Sequence, residues 1–219
     1  MEFKNLQKLG GICAISEALI YIIAFIFYGG FIYPDKNASA QEELNFLTDN
    51  YLALSILNMV SYVLFSILLV VLVLAVHERL KSYSINFSKI IATFGMVWVG
   101  LVIASGMISY IGLNYVVDAG VKDPENAIQV WTSVSIVTEG LGGGNEIVGG
   151  IWVLLISIIS LKGNLFSNFL SFLGIIVGIA GILTIYPLDI FTEIFGISQI
   201  VWFLWIGIIM LRKPFTTVD

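Results

Sequence analysis

The stretch YLALSILNMVSYVLFSILLVVLVLAV, residues 51–76, runs for 26 residues without a charged side chain. A bilayer core about 30 Å thick is crossed by about 20 residues of helix, and backbone groups in hydrocarbon must find their hydrogen bonds within their own segment. The stretch is therefore read as a membrane-spanning helix. Working outward from it, five further apolar runs have the same character, at about 9–33, 90–117, 145–161, 166–186 and 190–211. The composition agrees: 58% of the residues are hydrophobic, 11% are charged, and the mean hydropathy is +0.99. Soluble domains carry about 45–50% apolar and about 25% charged residues. The expected fold is all-α, a polytopic six-helix transmembrane bundle forming a single domain over residues 1–219, with the fourth segment interrupted.

Sorting the ten Lys and Arg by these spans puts Lys4, Lys8, Arg79, Lys81, Lys89, Lys162, Arg212 and Lys213 on one side, and only Lys36 and Lys122 on the other. Short basic loops stay in the cytoplasm, so both termini are expected there. The opposite side gathers Asp35, Glu42, Glu43, Asp49, Asp118, Asp123, Glu125 and Asp189 into an acidic rim. Lys4 and Lys8, an apolar run and Ala38-Ser39-Ala40 outline a secretory leader. The run from Leu9 to Tyr33 exceeds the roughly 7–15 residues of a leader core and contains Glu17, so it is read as an uncleaved first helix.

One Cys (Cys13) and one His (His77) exclude a disulfide within the chain, a structural zinc, a Cys-ligated iron–sulfur cluster and a bis-His haem, so no cofactor is expected. The formal charge of −5, with no basic run, excludes a grip on nucleic acid. The chain contains no G-x-S-x-G, Walker A or zinc motif, which makes an enzyme the least favoured class.

Between the spans, Ser39-Ala40-Gln41-Glu42 has the spacing of a capping box and predicts a short helix before the second span. Asp123-Pro124 predicts an N-cap with proline in the first turn, so a further interfacial or re-entrant helix is expected over about 124–139. That helix meets Gly140-Leu141-Gly142-Gly143-Gly144, four glycines in five residues. Each glycine costs about 1 kcal/mol against alanine in a helix interior, so a continuous rod is disfavoured here. Two readings stay open: the glycines allow close packing and a sharp turn with Glu146 at a helix start, or they unwind a discontinuous membrane helix that lines a solute site.

Polar groups in apolar spans are costly and mark function more often than those on a soluble surface. Glu17 stands about 12 Å into the first span by helical rise. Insertion scales charge an acidic residue about 2.5–3.5 kcal/mol at a helix centre, so this one must be protonated, partnered, or turned toward protein or water. Asn58, Asn145, Glu146, Glu193 and Gln199 fall at comparable depth in the outer halves of other spans, and with Glu17 they form the candidate substrate-binding set. Their alternative role is ordinary hydrogen bonding between helices. Gly174, Gly178 and Gly181, with Gly95, Gly100 and Gly106, read as close-packing faces, within the chain or in an oligomer. The tryptophans and tyrosines are expected to include interfacial anchors.

Three stretches, VWVGLVIASGMI at 97–108, GLGGGNEIVGG at 140–150 and FGISQIVWF at 195–203, resemble a domain-of-unknown-function family of prokaryotic multi-pass membrane proteins. That resemblance implies an all-helical fold in a prokaryotic cell membrane and carries no reaction. Two functional expectations follow from the residues themselves. One is a permease for a small solute or ion, proton or other cation, built on membrane carboxylates. The other is a non-catalytic membrane component that binds a partner protein or lipid.

Overall fold

The computed structural model describes residues 3–30, 38–143, 146–186 and 188–212, and all its regular structure is helical. Helix α1 (Phe3–Gly30) is followed by the short α2 (Ala40–Asp49). Next, α3 (Tyr51–Asn58) passes through a π-helical turn at Met59–Leu64 into α4 (Phe65–Leu80), making one rod. Helix α5 (Ile85–Gly120) is the longest. After it come α6 (Pro124–Thr138), a second π-helical turn at Glu139–Gly143, α7 (Ile147–Gly163), α8 (Asn168–Leu183) and α9 (Asp189–Arg212).

Five helical stretches are long and apolar enough to cross a membrane: Asn5–Phe27, Tyr51–Leu80, Ile85–Gly120, Pro124–Gly163 and Asp189–Arg212. The sixth apolar helix, α8, has 16 residues, or about 24 Å of rise, and falls short of a full bilayer core. The six runs expected from sequence thus become four long helices, the shorter α8, and the stretch Pro124–Gly163, in which α6 and the 17-residue α7 are separate helices.

The ends of these helices follow their local chemistry. The Ser39 hydroxyl accepts the Glu42 N–H at 3.4 Å while the Glu42 carboxylate accepts the Ser39 N–H at 2.7 Å, the reciprocal pair of a capping box. Asp123 accepts the Asn126 N–H at 3.1 Å ahead of Pro124, and Ser84 and Ser167 cap α5 and α8 the same way. Asn164, in the left-handed region at φ 50°, stops α7.

Lipid offers no hydrophobic drive between helices, so close approach depends on small residues. A Cβ on Gly150 would lie 2.8 Å from the Gly178 carbonyl oxygen, and one on Gly11 would lie 2.9 Å from that of Gly207. Such backbone-on-backbone contacts join α7 to α8 and α1 to α9. Gly11 against Gly207 and Phe25 against Gly196 also make α1 and α9 antiparallel, so the start of α1 and the end of α9 share one end of the bundle, the near end. Of the glycines expected to form packing faces, Gly95, Gly106, Gly174, Gly178 and Gly181 are all filled from within the chain. Gly100 faces open space.

Two cores result. The larger one holds a column of rings in which Trp98 lies 5.8 Å from Trp152, and Trp152 5.8 Å from Trp202, with Phe65, Phe203 and Tyr21 alongside. These three tryptophans are at most 1% exposed, so they are core residues and not interfacial anchors. The smaller core, Leu44, Leu47, Leu113, Val116 and Ala127, ties α2 and α6 to the last part of α5 at the far end. Helix α6 runs antiparallel to α5, Gly112 against Val134 and the Ser105 hydroxyl donating to the Thr138 carbonyl at 2.9 Å. The segment that sequence assigns to an interfacial or re-entrant helix therefore follows the bundle axis.

Candidate functional site

The glycine run does break the helix. Gly142 sits at φ 127°, a conformation that side-chain-bearing residues rarely adopt, inside the π turn at Glu139–Gly143. The other π turn, Met59–Leu64, has Asn58 immediately before it. Both interruptions of the regular ladder face one cavity of about 610 Å³ toward the far end of the bundle. Asn58 and Tyr62 line it from the first, and Glu139 and Gly143 from the second. Single π turns recur at functional sites, because the extra residue redirects side chains that a regular helix would stack over the next turn.

Other elements complete the wall. Helix α1 supplies Tyr21, Ala24 and Phe25, α5 supplies Ser109 and Leu113, and α6 supplies Trp131, Ser135 and Thr138. Glu146 precedes α7, α9 contributes Thr192, Glu193, Phe195 and Gly196, and α2 closes the top with Glu43, Phe46 and Leu47. Among the described residues the lining holds four carboxylates, Glu43, Glu139, Glu146 and Glu193, and no Lys, Arg or His. The only ion pair among the described residues, Lys81 with Glu78 at 3.0 Å, lies on the exposed surface at the near end.

Asn58 is 5% exposed. Its Nδ2 donates to the Ser109 hydroxyl at 2.5 Å, and its Oδ1 has no partner. The absence of a side chain on Gly106 admits Tyr62, since a Cβ there would collide with that side chain.

Glu146 is tied at its backbone, its N–H donating to the Thr184 hydroxyl at 2.9 Å and its carbonyl accepting the Gly150 N–H at 2.7 Å. Its side chain does not cap α7, although sequence favours a carboxylate at a helix start. The group turns toward the cavity, with Oε2 buried and unpartnered and the Trp98 indole beside it.

Sequence nominated six residues, and the structure distributes them. Asn58, Glu146 and Glu193 share the cavity. Glu17 and Gln199 do not line it: both are 0% exposed, and neither Glu17 oxygen nor the Gln199 amide has a partner. Gln199 lies on α9 between the Phe25–Gly196 and Tyr21–Phe203 contacts, and Glu17 lies one turn before Tyr21 on α1. Asn145 lies outside the described residues. Ser109 joins the site through Asn58, whereas Asn114 accepts from the Tyr51 hydroxyl and donates to the Tyr110 carbonyl, away from the cavity. Ser198 donates back to the Ile194 carbonyl of its own helix at 2.6 Å.

Tyr21 is the residue that sequence reasoning missed. It lines the cavity, packs on Phe65 at 5.5 Å, and lies one helical turn after Glu17 on α1. The i, i+4 spacing from Glu17 was the available signal. Glu139 was also within reach, flanking the glycine run, but nothing in the sequence brought Glu43 of α2 to the same place.

Three or more His, Cys, Asp or Glu positioned to hold a metal ion occur nowhere among the described residues. Comparison with protein-family models, with curated proteins and with solved structures finds no match to this chain, so the site is read on its own chemistry.

Proposed function

We propose that this chain is a membrane permease that takes a small solute into the cavity at the far end of the bundle and couples its movement to a proton carried by Glu17. The observation that carries the reading is Tyr21. It lines the cavity that Glu146 also lines and stands one helical turn after Glu17, whose carboxyl is sealed in the core, so one face of α1 joins the cavity wall to the proposed proton carrier. A side chain able to take and release a proton, buried without a cationic partner, is a costly feature that transport would retain. Discontinuous helices that present carboxylates and unwound backbone to a cavity are a recurring construction of transporter sites. The eight-to-two distribution of Lys and Arg supports reading the near end as the cytoplasmic one and the cavity as facing outward.

A second reading has its own support. Below Tyr21 the interior is filled by Phe65, Leu69, Leu72 and the tryptophan column, as in a component that binds a partner or lipid and conducts nothing.

The test is uptake into proteoliposomes under an imposed proton gradient, with Glu17→Gln as the comparison. Gradient-driven uptake that disappears in the variant, while counterflow persists, supports the permease. Equal gradient-driven uptake in both proteins removes the role of Glu17. If uptake and counterflow are both absent from wild type, the binding reading takes its place.

A further inference from the structure

We infer that the ligand of this cavity is a small organic cation, an ammonium group on an apolar body. The inference deepens the reading of the cavity as a solute site and does not depend on whether the solute is then transported.

Charge excludes most alternatives. Four carboxylates from four separate parts of the chain line the cavity, and among the described residues no Lys, Arg or His shares the lining with them. An anion would meet uncompensated repulsion, while the same field raises the local concentration of cations.

The cation is not a bare metal ion. No three of the described acidic, His or Cys side chains are positioned to hold one, and calcium or magnesium needs oxygen ligands within about 2.6 Å on several sides. A volume of about 610 Å³ lies in the range of small-molecule sites, far above that of an ion.

The remaining wall fits an ammonium group with an organic body. Tyr21, Tyr62 and Trp131 bring aromatic rings among the carboxylates, and such faces attract an ammonium group as well as covering its carbon skeleton. Independently of the carboxylates, Asn58 is a lining residue, 5% exposed, whose buried Oδ1 is unpartnered while its Nδ2 is engaged with Ser109. A buried acceptor without a donor calls for an N–H from the ligand. Glu146, whose Oε2 is buried and unpartnered, is the counter-ion, and the exposed Glu193 guides entry.

The experiment is calorimetric titration of the full chain in nanodiscs with three probes of one skeleton, phenethylammonium, 2-phenylethanol and phenylacetate, together with calcium. Saturable binding of phenethylammonium is expected, at least tenfold tighter than either of the other organic probes, with no competition from millimolar calcium. Glu146→Gln should weaken it tenfold or more, and Glu78→Gln, at the far-removed surface ion pair, should leave it unchanged. Should Glu146→Gln fail to fold, Trp131→Leu keeps apolar volume while removing the ring face, and should weaken the ammonium fivefold or more with little effect on the alcohol. Absence of saturable ammonium binding, comparable binding of alcohol or carboxylate, displacement by calcium, or wild-type affinity in the folded variant would each overturn the inference. Ammonium binding without flux retires the permease and leaves the inference standing, whereas flux of a neutral or anionic solute without ammonium binding does the reverse.

Discussion

Replacing Glu17 with methionine separates what this carboxyl does for stability from what it does for function. The side chain is 0% exposed and both its oxygens lack a partner. A buried polar group left unsatisfied costs about 1–3 kcal/mol, and an apolar group of similar shape removes that penalty. Methionine matches glutamate in length, has no branch and adapts to irregular space, so the cavity and strain terms of a core substitution stay small. Glu17→Met should therefore stabilise the fold by about 1–3 kcal/mol. At about 2–4 °C per kcal/mol for a chain of this size, thermal unfolding in detergent should shift upward by several degrees. The same variant should show no gradient-driven uptake. A gain in stability with a loss of function marks a residue kept for its chemistry. A fall in stability of 1 kcal/mol or more would refute the reasoning, because it would mean that the carboxyl makes a favourable interaction in the folded protein.

Three further outcomes follow from the geometry. Gly150→Ala should destabilise the α7–α8 pair by about 1–3 kcal/mol, because its Cβ would lie 2.8 Å from the Gly178 carbonyl oxygen, while Gly100→Ala, with nothing within 4 Å, should gain up to about 1 kcal/mol from helix propensity; melting curves of the two variants side by side check this. Gly142→Ala should cost about 1–3 kcal/mol from the backbone alone, since at φ 127° the added Cβ meets only Val102 at an ordinary 3.6 Å, and phenethylammonium titration should show weaker binding as the wall shifts. Glu42, held below the usual carboxylate range by the N–H and hydroxyl of Ser39, stabilises the start of α2 above the ordinary carboxylate pKa, and that contribution is lost as pH falls through its lowered value. Amide exchange in α2, corrected for intrinsic rates, should accordingly accelerate at acid pH in wild type and be largely insensitive to it in Glu42→Gln, which has no carboxylate to protonate.

What could be read in the sequence was what depends on neighbours along the chain. The uncharged 51–76 run, the capping box at Ser39, the N-cap at Asp123 and the glycine cluster are each set by the local sequence, and each produced its expected local structure. Side-chain direction was less accessible. Asn58 and Asn114 are both polar residues of apolar helices, yet one borders the cavity and the other serves Tyr51, a difference set by which neighbouring helix each one meets. Gly95 and Gly100 differ by five residues on one helix, enough to turn one toward Trp152 and the other to open space. The tryptophan column was illegible for a related reason: nothing local to each ring says that three of them find one another across α5, α7 and α9. Glu43 reaches the cavity only because α2 folds back on α5 and α6 through Leu44 and Leu47, a contact distant in sequence.

The most direct test of the account is the labelling of two single cysteines by a membrane-impermeant maleimide in intact cells, in a Cys13→Ser background. Asn58→Cys lies in the wall of the cavity, and Ser66→Cys lies on the same rod in the filled core, 0% exposed. Labelling of Asn58→Cys from outside, slowed by phenethylammonium, with none at Ser66→Cys, is the result predicted for an outward cavity closed beneath Tyr21. Protection of both positions, equal labelling of both, or reaction of Asn58→Cys only from the cytoplasmic side would contradict it.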